Sequence, residues 1–145
     1  MYKHILIATD GSDLALKAVD QGLALAKALN AKVTAITATE PWTSIASGEM
    51  GMAFPIDEYE KGCAEGAAKI LGVVSKQAEK AGVSCQTLHV QDQFAAEGII
   101  ETAKSRGCDL IVMASHGRRG LSRLLLGSQA NNVVTHSTVP VLICR

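Results

Sequence analysis

Apolar and polar positions along this chain follow two periods that take turns. Ile5-Leu6-Ile7-Ala8 is an unbroken apolar run closed by Thr9-Asp10-Gly11-Ser12, the pattern of a strand covered on both faces and ended by a turn. Ala15, Ala18, Val19, Gly22, Leu23, Ala26 and Leu29 then recur at three- and four-residue steps, with Lys17, Asp20, Gln21 and Lys27 opposite. That spacing predicts an amphipathic helix over about residues 13 to 29, with Ser12 placed to cap it. The rhythm continues with a β-rich run at Lys32 to Thr39, a helical period from Asp57 to Lys80 and a strand near Val83 to Val90. A helix over Phe94 to Arg106, a strand at Asp109 to Ala114, a last helix at Ser128 to His136 and a closing strand at Val139 to Cys144 complete it. Parallel neighbours need crossover connections of fixed hand, so five strands alternating with four helices predict a doubly wound α/β fold with a parallel sheet. The length suits a single domain spanning 1–145.

One stretch interrupts the rhythm. Glu40 to Pro55 holds Pro41, Trp42, Gly48, Gly51 and Pro55 with no sustained period. Loops of about fifteen residues without secondary structure are uncommon in compact domains and often serve as lids or binding loops. The segment reads as a flap over a site or as a surface excursion, with Trp42 as packing or an anchor.

Fourteen basic residues balance fourteen acidic ones, so total charge makes no case for nucleic acid or a membrane surface as the partner. The balance is uneven along the chain. Residues 1–109 carry ten bases and fourteen acids, net −4, whereas residues 110–145 hold four arginines and no carboxylate. Three of those arginines, Arg118, Arg119 and Arg123, fall within six positions, which favours an anion. No apolar run approaches the roughly 20 residues that span a bilayer. Met1-Tyr2-Lys3-His4 leads straight into a strand without a signal-peptide core, and the expectation is a cytoplasmic protein. Cys63, Cys85, Cys108 and Cys144 form no C-x-x-C pair or Cys/His cluster. They read as small hydrophobes rather than zinc ligands.

Ligands of doubly wound sheets sit beyond the carboxyl ends of the strands, here Thr9 to Ser12, Ala38 to Glu40, and Ala114 onward. The chemistry gathers at the last of these. Met113-Ala114-Ser115-His116-Gly117-Arg118-Arg119-Gly120 leaves a strand, and Gly127-Ser128 opens the last helix. Small residues let backbone N–H groups approach a phosphate, and a helix N-terminus adds free donors and a favourable dipole. The Ser128 hydroxyl can donate to a phosphate oxygen or simply cap the helix. Asp10 can face a ligand or close the turn into the first helix.

Ala114-x-x-Gly117, nine residues, then Gly127-Ser128 resembles the nucleotide-binding signature of the universal stress protein family, which reads G-x-x-G, nine residues, G-[ST]. The opening Ile-Leu-Ile-Ala-Thr-Asp-Gly-Ser, the run Asp-Leu-Ile-Val-Met, the stretch Gly-Arg-Arg-Gly-Leu-Ser-Arg-Leu-Leu-Leu-Gly-Ser and the closing Val-Pro-Val-Leu-Ile-Cys extend the likeness over nearly the whole chain. The resemblance implies strand order 3-2-1-4-5, a homodimer through the last strand, and ATP, with Mg²⁺ on its phosphates, as the ligand in one branch. Asp10 and Ala38 would then meet the adenosine end. Gly117, Gly127 and Ser128 would hold the phosphates, with Thr9, Ser115 and Gln129 around them; His116, read from its own polar loop, can touch phosphate. Ala114 departs from the motif's first glycine. If that position needs φ > 0 its Cβ costs roughly 1 kcal/mol or more; if it needs only smallness, alanine serves.

Other classes fit less well. No carboxylate follows Asp109 to complete a triad with Ser115. Neither the Walker pattern nor G-x-G-x-x-G is present. Without a phosphate-bound lysine and a positioned nucleophile, any ATP hydrolysis is expected to be slow. The sequence therefore points to a nucleotide-dependent regulator in a stress response, acting on an unidentified protein partner. The alternative is a nucleotide-free dimeric interaction module.

Overall fold

The computed structural model describes residues 1–46, 55–117 and 126–145. Five strands, β1 (His4–Ala8), β2 (Lys32–Ala38), β3 (Cys85–Val90), β4 (Leu110–Ala114) and β5 (Val141–Cys144), form one parallel sheet of order β3-β2-β1-β4-β5. The four expected helices are α1 (Asp13–Leu29), α3 (Ile56–Ala81), α4 (Ala95–Arg106) and α5 (Ser128–His136). A fifth, α2 (Trp42–Ala46), occupies part of the stretch expected to lack regular structure. It is a single turn after Pro41, whose carbonyl accepts from the Ser44 N–H at 3.0 Å and from the Ser44 hydroxyl at 2.8 Å. Residues 47–54 of that stretch lie outside the described residues, as do 118–125 with Arg118, Arg119 and Arg123.

Side-chain alternation along the strands builds two cores, one on each face. Ile5, Ile7, Val33, Ala35, Leu110 and Val112 pack with Val19 and Leu23 of α1 and Val74 of α3. Leu6, Ile36, Ile111 and Met113 pack with Ile99 of α4 and Val133 of α5. Gly22 fits α1 against the sheet, since a Cβ there would stand 2.6 Å from Ile7 Cδ1 and 3.3 Å from Val112 Cγ1.

Helix ends explain where the strands begin. Ser12 caps α1 by accepting from the Ala15 N–H at 3.3 Å. Asn30, Gly82 and Gly107 end α1, α3 and α4 in the left-handed conformation. The N–H of Val83 still serves that cap, donating to the Ala78 carbonyl at 3.0 Å, so β3 starts at Cys85 rather than Val83. Val139 likewise donates to the Ser137 hydroxyl at 3.1 Å, and β5 starts at Val141. Asp109 precedes β4 and accepts from the N–H groups of Lys3 at 2.9 Å and His4 at 3.1 Å, which fixes the start of β1 beside that of β4.

Candidate functional site

The strand order reverses between β1 and β4: the chain leaves β1 toward β2 and β3, then crosses back to β4 on the other side. Such a switch point opens a crevice at the carboxyl ends of the strands. Thr9, Asp10, Ala38, Ala114, Ser115, His116 and Gly117 all leave strands at this edge, and Gly127, Ser128 and Gln129 begin the helix that follows β4.

Past β1 the backbone is held by its own side chains. The Thr9 hydroxyl accepts from the Gly11 N–H at 3.1 Å, and Asp10 Oδ1 accepts from the Ser12 N–H at 3.0 Å. Gly11 takes φ 80°, which a residue without Cβ adopts at no steric cost. Buried Thr9 also donates its N–H to the Ile36 carbonyl at 3.0 Å, tying this turn to β2 two residues before Ala38. Asp10 reaches across to the β4 loop: its Oδ2 lies 2.7 Å from where a Cβ on Gly117 would stand.

Past β4, Ser115 is the pivot. It is buried, donates its N–H to the Cys144 carbonyl of β5 at 2.8 Å, and accepts from the Gly127 N–H at 2.9 Å. Its hydroxyl shares a 3.1 Å hydrogen bond with His116 Nδ1. A Cβ on Gly127 would approach the Ser115 carbonyl to 2.9 Å and the His116 Cα to 3.4 Å. The glycine is therefore needed for space and lets α5 start directly against the end of β4. Gly127 is also the N-cap of α5, makes no side-chain cap, and is followed by a first turn without an acidic residue. The N–H groups of Ser128, Gln129 and Ala130 have no intrahelical acceptor at this end, and the helix dipole makes the turn attractive to an anion.

Ala114 has an extended backbone. It pairs with Cys144 in the sheet and packs in the core shared with α1. Among the described residues the non-glycines at positive φ are Asn30 and Asp92, so the Cβ at 114 carries no strain. Gln129 is turned away from the β4 end, with its side-chain oxygen accepting from the Ala96 N–H of α4 at 3.0 Å.

Two features near Ala38 escaped sequence reasoning. The Tyr59 hydroxyl of α3 donates to the Glu40 carbonyl at 2.6 Å, fastening α3 to the end of β2. Burial, then a hydrogen bond to Cys63 and the charges of Glu40 and Asp92, push its pKa up to about 12. Tyr59, Thr39, Trp42 and Asp92 line a cavity of about 20 Å³, room for a water rather than a base. The signal available was an aromatic residue among Asp57, Glu58, Glu60 and Lys61.

The remaining histidines and the cysteines stand apart from this edge or inside the fold. His4 and His89 bond Thr34 and Thr39 through Nε2 at 2.7 and 2.8 Å, and burial lowers the pKa of both. His136 bonds the Asn132 carbonyl at 3.0 Å within its own helix. Cys108 and Cys144 are buried, Cys63 and Cys85 half-buried, and all four are free thiols. Burial, assisted by Asp109, raises Cys108 to about 11. Among the described residues no helix is long and apolar enough to cross a membrane, and no group of three potential metal ligands occurs.

The family model described as Universal stress protein family matches residues 1–145. Universal stress protein MJ0531 of Methanocaldococcus jannaschii is 36% identical over 145 residues, which is all of this chain and 83% of that protein. The solved structure of MJ0577, from the same organism, superimposes with a TM-score of 0.80 at 28% identity, covering 99% of this chain and 96% of that one. A universal stress protein solved in complex with cAMP matches with a TM-score of 0.70 at 29% identity, covering 99% and 97% of the two chains.

Proposed function

This chain belongs to the universal stress protein family, and from that premise we propose that it binds an adenine nucleotide, ATP with Mg²⁺ above others, as a signal in a cytoplasmic stress response. The observation that carries this reading is the seating of α5: the Gly127 N–H rests on the Ser115 carbonyl at 2.9 Å, and the helix then begins without a side-chain cap or an acid in its first turn. An anion placed beyond β4 meets several N–H donors at the positive end of the helix dipole. The cAMP held by a relative of 29% identity supports adenine as the base.

In this reading Asp10 and Ala38 face the adenosine, while Gly117, Gly127 and Ser128 hold the phosphates. Thr9, Ser115 and His116 shape the two loops, and Gln129 opens the helix. Ala114 is no obstacle, because its backbone is extended and its methyl group lies in the core. Bound Mg²⁺ would neutralise charge on the phosphate oxygens. Occupancy shifts the population toward a state that binds nucleotide better, and a protein partner reads that state. The chain works as a homodimer through β5, an edge strand on which Leu142 is 41% exposed. Pairing two such edges covers an otherwise open row of backbone groups.

The test is calorimetric titration of nucleotide-stripped protein with ATP and Mg²⁺, and separately with cAMP, alongside Ser128→Ala and Gly127→Val checked for fold by circular dichroism. Saturable binding that weakens in folded Ser128→Ala and disappears in folded Gly127→Val is the expected result. Absence of binding by the intact protein would refute the reading and leave the nucleotide-free interaction module.

A further inference from the structure

Helix α4 begins without a cap of its own. Its N-cap residue is Phe94, whose side chain has no oxygen and makes no capping bond. The Ala96 N–H, one of the donors left over at that end, is satisfied by the side-chain oxygen of Gln129 at 3.0 Å. Gln129 is the second residue of α5, so one amide clamps the first turns of the two helices together. The clamped turn of α5 is the one whose N–H groups face the proposed phosphates. On its other flank that turn is held by the Gly127 N–H on Ser115.

We propose that Gln129 is a positioning residue for nucleotide binding: by capping α4 from α5 it fixes the aim of the Ser128–Ala130 N–H groups, and nucleotide in turn tightens the cap on Ala96. The proposal deepens the nucleotide reading above and rests on it. Its two halves are one statement of linkage, since a bond that favours the bound state must itself be favoured by binding.

The experiment combines amide exchange at Ala96 with titrations of ATP and of adenosine, on the wild type, Gln129→Ala, Phe94→Ser and the double variant. In nucleotide-free protein Gln129→Ala exposes the Ala96 N–H and speeds its exchange by about tenfold. The same variant binds ATP about fivefold more weakly, while adenosine, which lacks phosphates, binds unchanged. Phe94 already has the extended backbone of a cap, φ −65° and ψ 148°, so Phe94→Ser gives α4 a local cap. The double variant therefore regains Ala96 protection and keeps the weakened ATP affinity, because α5 stays untethered. In the wild type, saturating ATP slows Ala96 exchange.

Unchanged ATP affinity in Gln129→Ala, an equal loss for adenosine, or recovery of ATP affinity in the double variant each overturn the proposal and leave the nucleotide reading standing. A wild type that binds neither ligand overturns both. That failure is distinct, since Ala96 exchange without nucleotide still reports whether the clamp forms.

Discussion

Gly127→Ala tests the seat beneath α5 with a single methyl group. The backbone there, φ −61° and ψ 155°, is one that every residue adopts, so no strain arises. Alanine is a poorer N-cap than glycine by about 0.5 kcal/mol, and this is offset by a similar loss of unfolded-chain entropy. What remains is steric: the new Cβ stands 2.9 Å from the Ser115 carbonyl and 3.5 Å from His116 Cδ2. The first neighbour is buried backbone and cannot rotate aside. Relief requires α5 to withdraw, which stretches the 2.9 Å bond from the Gly127 N–H to that carbonyl. Overpacking of this kind costs about 1–3 kcal/mol and the bond about 1 kcal/mol. Together they centre on about 3 kcal/mol, which lowers the midpoint by about 9 °C for a chain of this size. Differential scanning calorimetry measures it, with Gly72→Ala as the control of opposite sign. Nothing lies within 4 Å of a Cβ at 72, so the helix propensity of alanine raises stability there by up to about 1 kcal/mol. An unshifted midpoint in Gly127→Ala, with ATP affinity intact, would refute the close-approach argument.

Four further outcomes are expected. Gly22→Ala destabilises by about 1–2 kcal/mol despite alanine's helix propensity, because its Cβ meets Ile7 Cδ1 at 2.6 Å; adding Ile7→Val, which deletes that atom, recovers part of the loss in urea unfolding. Burial raises the Asp109 carboxyl, but the Lys3 and His4 N–H groups outweigh it and hold the pKa below the usual value. Its stabilisation is therefore present above about pH 4 and is lost as pH falls through the folded value, a loss that Asp109→Asn removes from the acid limb. For His4 and His89 the folded pKa is lowered, chiefly by burial. Their share is complete above about pH 6.5 and falls away below it, so the urea midpoint drops between about pH 7.5 and pH 5.5, less so in the double His→Gln variant. Leu142→Lys on the exposed edge strand yields a monomer by sedimentation velocity; a dimer of unchanged affinity would contradict pairing through β5.

The helices at 13–29 and 128–136 were legible because the first follows the Ser12 cap and carries an apolar stripe, while the second opens directly after Gly127. Strands were legible as apolar or β-rich runs, and β2 starts at Lys32 as expected, but the first residues of β3 and β5 were not. Val83 and Val139 look like strand yet spend their N–H groups on a helix end and a serine hydroxyl. The turn at Trp42–Ala46 is too short to display a period. At the site, the resemblance to the family's motif singled out Gly117 and Gly127, and the structure adds that both make room for the protein's own oxygens, those of Asp10 and Ser115. The partner of Gln129 could not be read, since the contact spans 33 positions. Its trace was indirect, a helix opening on Phe94 with no oxygen to cap it.

The approach of Asp10 to Gly117 has a consequence for how such a sequence can diverge. With the carboxylate oxygen 2.7 Å from the point where a side chain at 117 would begin, a Cβ at 117 and the present aim of the Asp10 carboxylate compete for one space. The atom in the way is the end of a side chain that can rotate, so a residue other than glycine at 117 re-aims the Asp10 carboxylate and loosens its hold on the Ser12 N–H rather than displacing backbone. Two loops far apart in the chain thus meet in a space that either of them can fill, and a shorter residue at 10 leaves it open to a side chain from 117.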